Sequence, residues 1–157
     1  MWVNSMRFNK IILALLVVFI LTSGTSIIFA EQFELSDVSF DIPGNYSINK
    51  TTDEACILKS DNADNYTISM IQVNSSDAIR EKNSRMSSGF TFLSEEKYTS
   101  SNGIDINQQN FMKNESYFSF YSFEAKNLTY MVIYTFPVHD EAGNATNPVN
   151  EIIESIQ

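Results

Sequence analysis

The sequence predicts an α+β fold: an antiparallel sheet of about six to seven strands covered by helices, an α/β/α sandwich. Three observations point there. Short alternating apolar runs recur between turn residues from Phe33 to Val138, the pattern of strands. Asn102-Gly103 separates two such runs and is a strong hairpin signal. The period changes to a helical one at Ser75–Gly89 and again after Asn147.

The first thirty residues stand apart. Arg7 and Lys10 give a basic start, and Ile11 to Leu21 is an unbroken apolar run. Thr22–Ser26 is small and polar, Ala30 precedes Glu31, and Glu31 is the first acidic residue. Basic start, apolar core and small residue are the three parts of a secretory signal. The positive end stays on the cytoplasmic side while the core enters the bilayer. Cleavage after Ala30 is the favoured reading, although Ile28 is large for its position. The alternative is an uncleaved anchor over residues 11–30, long enough for a span of about 20 residues. Both readings leave residues 31–157 as one extracytoplasmic domain, secreted or tethered to the outer face of the membrane.

The elements of that domain follow in order. Phe33 to Ile42 alternates, with Val38, Phe40 and Ile42 on one face, and reads as one half-buried strand ended by Pro43-Gly44. Ala55 to Lys59 is a second strand. Asn62–Asn65 makes a turn, and Tyr66 to Val73 a third strand. Ser75-Ser76-Asp77 offers a helix N-cap, Gly89 a stop, and Ala78, Ile79, Lys82 and Met86 share one side. That stripe is thin, which places the helix at the margin of the core. Phe92–Ser100 and Ile104–Met112 flank the Asn-Gly turn. Tyr117–Glu124 and Thr129–Val138 form another pair, and the second of these is apolar on both faces. It should be a central strand covered on both sides. Asn147 is a natural N-cap with Pro148 at the first helical position. Val149, Ile152, Ile153 and Ile156 then form an amphipathic stripe.

Composition bounds the function. Residues 31–157 hold eight basic and nineteen acidic residues, a net charge of −11. Such a surface repels phosphate backbones, so nucleic acid is excluded as a partner, and anionic lipid is disfavoured. Membrane contact is expected only through residues 11–30, if they are uncleaved. The single cysteine, Cys56, rules out an internal disulfide and reads as a buried structural thiol.

Several segments resemble the PsbP-like family, domains related to the extrinsic photosystem II subunit and, in fold, to a Ran-binding import factor. Val38-Ser39-Phe40-Asp41-Ile42-Pro43-Gly44-Asn45-Tyr46 resembles the family's opening strand. Asn65–Asn74 resembles the strand before its helix, Tyr130–Pro137 its late strand, and Asn150–Ile156 its closing helix. The resemblance implies an antiparallel sheet sandwiched between helices. It implies little about function, because this fold serves unrelated tasks, and it carries over no site residue.

Candidate catalytic sets are few. His139 is the sole histidine, and Asp140 and Glu141 adjoin it. A zinc site needs three or four spaced ligands, and a Ser-His-Asp triad would have to use His139 without a nucleophile elbow. Asp61, Asp64 and Asn65 faintly resemble a calcium loop, but Ala63 occupies a ligand position and no closing glutamate follows. No catalytic, cofactor or metal residue is assigned.

One pattern exceeds background. Asn-x-Ser/Thr occurs at Asn45, Asn49, Asn65, Asn74, Asn114, Asn127 and Asn144. Chance placement gives about three such sites. All seven are expected at strand ends, turns or loops, where a glycan can project into solvent. Turn chemistry alone also concentrates Asn, Ser and Thr there. The expected function is therefore an exported, non-enzymatic cell-surface or secreted domain that binds or stabilises an envelope partner. The alternative is an extracytoplasmic metal-assisted hydrolase using His139 with nearby carboxylates.

Overall fold

Alternating apolar positions can be buried only by pairing into a sheet and covering one face, and this chain does both. A computed structural model describes residues 31–75, 77–138 and 147–157. β1 (Gln32–Leu35) and β2 (Val38–Asp41) form a two-stranded hairpin. β3 (Tyr46–Thr52), β4 (Ala55–Ser60) and β5 (Thr67–Val73) follow, then α1 (Ala78–Ser87). β6 (Thr91–Thr99), β7 (Asp105–Lys113), β8 (Ser116–Ala125), β9 (Leu128–Pro137) and α2 (Val149–Glu154) complete the order. β3 to β9 make one seven-stranded sheet ordered β3-β4-β5-β9-β8-β7-β6. Every adjacent pair is antiparallel.

The main core lies on one face of this sheet. Cys56, Leu58, Ile68, Met70, Tyr121, Tyr130 and Val132 are all buried there. The β1–β2 hairpin covers them with Leu35, Val38 and Phe40, and α2 with Val149, Ile152 and Ile153. The predicted α2 stripe therefore docks as its spacing requires. Asn147 Oδ1 accepts from the Val149 amide at 3.1 Å, so the side chain caps as expected. Pro148 takes the N-cap backbone position and the helix begins one residue later than predicted. β9 is the middle strand of the sheet as expected, but it is not covered on both sides: Tyr130, Val132, Tyr134 and Phe136 are buried, while Met131, Ile133 and Thr135 on the other face are half-exposed.

Two strand assignments are corrected. Phe33–Ile42 is not one strand but a hairpin that turns at Ser36-Asp37, with Leu35 opposite Val38 and Ser36 at φ 55°. Buried Leu35 and Val38 are three residues apart, a break in the alternation that no Gly or Asn announces. β3 was not anticipated as a strand. Only Tyr46 of its seven residues is buried, so this edge strand has almost no apolar pattern to read.

The two tight hairpins after α1 depend on positive φ. Asn114 and Glu115 turn β7 into β8 at φ 48° and 62°; Lys126 and Asn127 turn β8 into β9 at 51° and 62°. These are the two-residue turns whose twist matches paired strands. The β6–β7 connection turns at the predicted Asn102-Gly103, with Gly103 at φ 86°. Asn102 Nδ2 also donates to Ile153 O at 2.9 Å, which ties this hairpin to α2.

Candidate functional site on the α1 face

The opposite face of the sheet is where this chain departs from simple core packing. α1 starts because Asp77 Oδ1 accepts from the amides of Ile79 and Arg80, at 3.1 and 3.0 Å. It stops at Gly89 (φ 86°), where the Gly89 amide donates to Met86 O and the Phe90 amide to Arg85 O, both at 3.1 Å. This is the expected C-terminal glycine cap. The packing differs from the expectation: α1 buries no residue. The apolar side chains point outward, with Ile79 76% and Met86 48% exposed.

Arg85 makes the contact instead. Its Nη1 donates to Gln109 Oε1 at 2.8 Å and its Nη2 to Glu81 Oε2 at 3.0 Å. Its guanidinium carbon lies 3.9 Å from the Phe120 ring centre and 5.7 Å from that of Phe111. Gln109 is nearly fully buried and donates to Ala78 O at 2.9 Å. Lys82 Nζ sits 3.4 Å above the Phe92 ring. Lys113 Nζ donates to Ser88 O at 2.8 Å. Beneath lie Phe90, Phe92, Phe111, Phe118 and Phe120, packed largely edge-to-face. The aromatic quadrupole attracts cations over its face, which explains a basic rather than an apolar docking side. Burial pulls the Arg85 guanidinium below its ordinary pKa, while the Glu81 carboxylate opposes that shift. Glu81 and Arg85 stand at the i,i+4 spacing that the sequence displays. Gln109 carried no signal, because a buried glutamine in a polar run looks like any exposed one.

Beside the α1 N-terminus lies an open groove of about 720 Å³. Its walls include Lys97, Thr99, Asp105, Asn107, Ser122 and Glu124. Thr99 Oγ1 donates to Asp105 Oδ1 at 2.7 Å. Asn107 Oδ1 is buried without a partner. The groove offers donors, acceptors and both signs of charge to a ligand.

The sequence-derived sites are placed as follows. Asn45, Asn49, Asn65, Asn74, Asn114 and Asn127 are all exposed. Asn65, at φ 71°, Asn114 and Asn127 occupy left-handed turn positions that favour asparagine, so turn chemistry accounts for those three. Asn49 is not at a strand end or turn as expected. It sits inside the edge strand β3, at the register shift between Ile48 and Lys50, where a bulge turns it out of the ladder. Asn144 lies outside the described residues, as do His139, Asp140 and Glu141. Asp61 Oδ1 accepts from Ser47 Oγ at 2.7 Å, and Asp64 meets Lys59 Nζ at 3.3 Å while 89% exposed. Both belong to the turn between β4 and β5. Among the described residues no three His, Cys, Asp or Glu side chains gather as a metal set. Cys56 is fully buried and unpaired.

Charge is unevenly distributed over the domain. Between residues 77 and 113, Asp77, Glu81, Glu95, Glu96 and Asp105 balance Arg80, Lys82, Arg85, Lys97 and Lys113. Residues 31–76 carry eight acidic and two basic residues, and residues 114–157 six and one. The neutral stretch is α1, β6 and β7, one side of the molecule.

An antiparallel sheet with a helix and a hairpin on one face and a second helix on the other is the PsbP-like fold. The chain is similar to the solution structure of cyanobacterial PsbP (CyanoP) from Synechocystis sp. PCC 6803, with a TM-score of 0.56 and 9% identity. That match covers 86% of this chain and 95% of the other. A crystal structure from Bacteroides thetaiotaomicron matches at a TM-score of 0.48 and 12% identity, over 82% of this chain and 48% of that one. No protein-family profile and no curated protein sequence matches.

Proposed function

We propose that the chain is an exported, non-enzymatic PsbP-like domain that binds and stabilises a partner at the cell envelope. The groove beside α1 supports this reading. It is open and of mixed polarity and charge, with Tyr98, Ile104, Ile106 and Phe123 beside its charged residues, which suits a segment of another macromolecule, since small-molecule sites are more enclosed. The signal-like segment over residues 1–30 supports a location outside the cytoplasm, either secreted or held by residues 11–30. Sugar on the exposed Asn-x-Ser/Thr sites belongs to the same reading in a host with the machinery; a native mass equal to that of the bare polypeptide ends that part.

The test is cross-linking capture on native membranes with full-length protein. A variant carrying Lys97→Glu and Glu124→Lys reverses two of the three charges on the groove walls. Both residues are at the surface, so the fold persists, and circular dichroism checks this. The expected result is a set of partners captured by the wild type and lost by the variant. An unchanged set overturns the groove as the recognition site.

A further inference from the structure

Residues 77–113 hold three properties that coincide nowhere else in the chain. They carry no net charge inside a domain of net charge −11, as counted above. They contain no Asn-x-Ser/Thr site, although one flanks the stretch on each side, at Asn74 and Asn114. They also hold three of the four large hydrophobic side chains exposed among the described residues: Ile79, Met86 and, at 45%, Leu93. The fourth, Ile48, lies on the opposite edge beside the site at Asn49.

These three side chains all lie on the α1–β6 side of the molecule. Ile79 and Met86 are seven residues apart and therefore share a flank of α1. Lys82 is three residues from one and four from the other, and it reaches over Phe92 of β6 and toward Glu95, 3.9 Å away. That flank thus faces the β6 edge. Leu93 is the next residue of β6, at the register shift between Phe92 and Ser94.

We propose that this surface joins two copies of the chain about a two-fold axis, flank of α1 against flank of α1, across the β6 edge. A two-fold interface presents the same patch from both sides and must complement itself. A patch with a surplus of one charge repels its own copy. The rest of the chain, with its surplus of acidic residues, does so, and the α1–β6 side does not. Arg80 and Lys97 of one copy can meet Asp77 and Glu96 of the other around the apolar centre. The bulge at Leu93 and the charges of Glu95, Glu96 and Lys97 guard the β6 ladder against direct strand addition. The contact is therefore made by side chains and does not extend the sheet.

The test uses full-length protein. Met86→Cys puts an accessible thiol on the flank, since the native Cys56 is fully buried, and Lys50→Cys on β3 serves as the control. A short bismaleimide should give a two-chain band with Met86→Cys and not with Lys50→Cys. Light scattering should give a two-chain mass for the wild type. Ile79→Lys combined with Leu93→Lys should raise the dimer dissociation constant at least about tenfold. Both side chains are exposed, so an unchanged thermal melt shows that the monomer survives the change. A one-chain mass for the wild type overturns the proposal. So does a dimer that persists unaltered in the double variant, or cross-linking through β3 and not α1.

Discussion

The guanidinium of Arg85 lies over the ring of Phe120, 3.9 Å from its centre, and is the main attachment of α1 to the sheet. The group is only 12% exposed and serves Glu81 and Gln109 at once. Arg85→Ala removes the cation and leaves the buried Gln109 carbonyl without a donor. The expected loss is about 2–4 kcal/mol, combining an unsatisfied buried group with the lost ring contact. Arg85→Lys should recover only part of this, because an ammonium cannot form the planar fork. Urea unfolding curves check both. A loss below the error of the fit for Arg85→Ala shows that α1 is held by something else.

Ile153 is fully buried between α2 and the sheet. Ile153→Asp places an unpaired charge in that layer and should cost more than about 3 kcal/mol. α2 is too short to persist without docking, so hydrogen exchange in α2 should rise toward that of a free peptide. A variant that melts like the wild type contradicts the packing described.

Asn147 joins the start of α2 to the core by donating from Nδ2 to the Tyr121 hydroxyl at 2.6 Å. Asn147→Ala removes this bond and the cap on Val149, at an expected cost of about 1–2 kcal/mol. The same bond holds the Tyr121 pKa down against burial. Its loss should move the tyrosine absorbance titration of the folded protein further into the alkaline range, a shift that a cap without this contact would not produce.

Alkaline pH should destabilise the fold. Burial pushes the Tyr121 hydroxyl from 10.0 up to about 12, and the Cys56 thiol from 9.0 to about 11. Burial raises Tyr134 as well. Each group keeps its proton in the folded chain where the unfolded chain releases it. Stability is therefore whole below pH 9 and falls as the pH rises to about 12, by up to about 3 kcal/mol for each of Tyr121 and Cys56. Melting temperatures between neutral pH and this range measure the effect. A flat profile argues against the buried setting of these groups.

How far the sequence disclosed this structure depends on whether burial left a pattern. β9 was legible as a central strand from its run of apolar residues, but not that only Tyr130, Val132, Tyr134 and Phe136, every second position, would be buried. The α2 stripe was legible for the same reason at helical spacing. β3 was not, because an edge strand facing solvent needs no apolar residue after Tyr46. The turn at Ser36-Asp37 was missed because a left-handed serine looks like any other serine. α1 was read by its outline but turned the wrong way. Periodicity assumes that apolar residues dock, whereas here an arginine over phenylalanine rings does. The groove and the buried Gln109 arise where the successive strands β6, β7 and β8 meet α1, and no pattern within a single element records that meeting.

The closure of the hairpin has a mechanical consequence. The Ile42 amide donates to Glu31 O at 2.7 Å, and the Ser39 carbonyl accepts from the Gln157 amide at 3.1 Å. Were the proposed anchor over residues 11–30 to hold the domain to a membrane, load would enter the fold at Glu31. The load falls first on the four-residue pairing of β1 with β2, which it opens one bond at a time like a zip. The seven-stranded sheet lies behind this fuse. Such a pull would withdraw Leu35 of β1 from the core while β2, bonded to Gln157 through Ser39, stays with the sheet, its groove and α1.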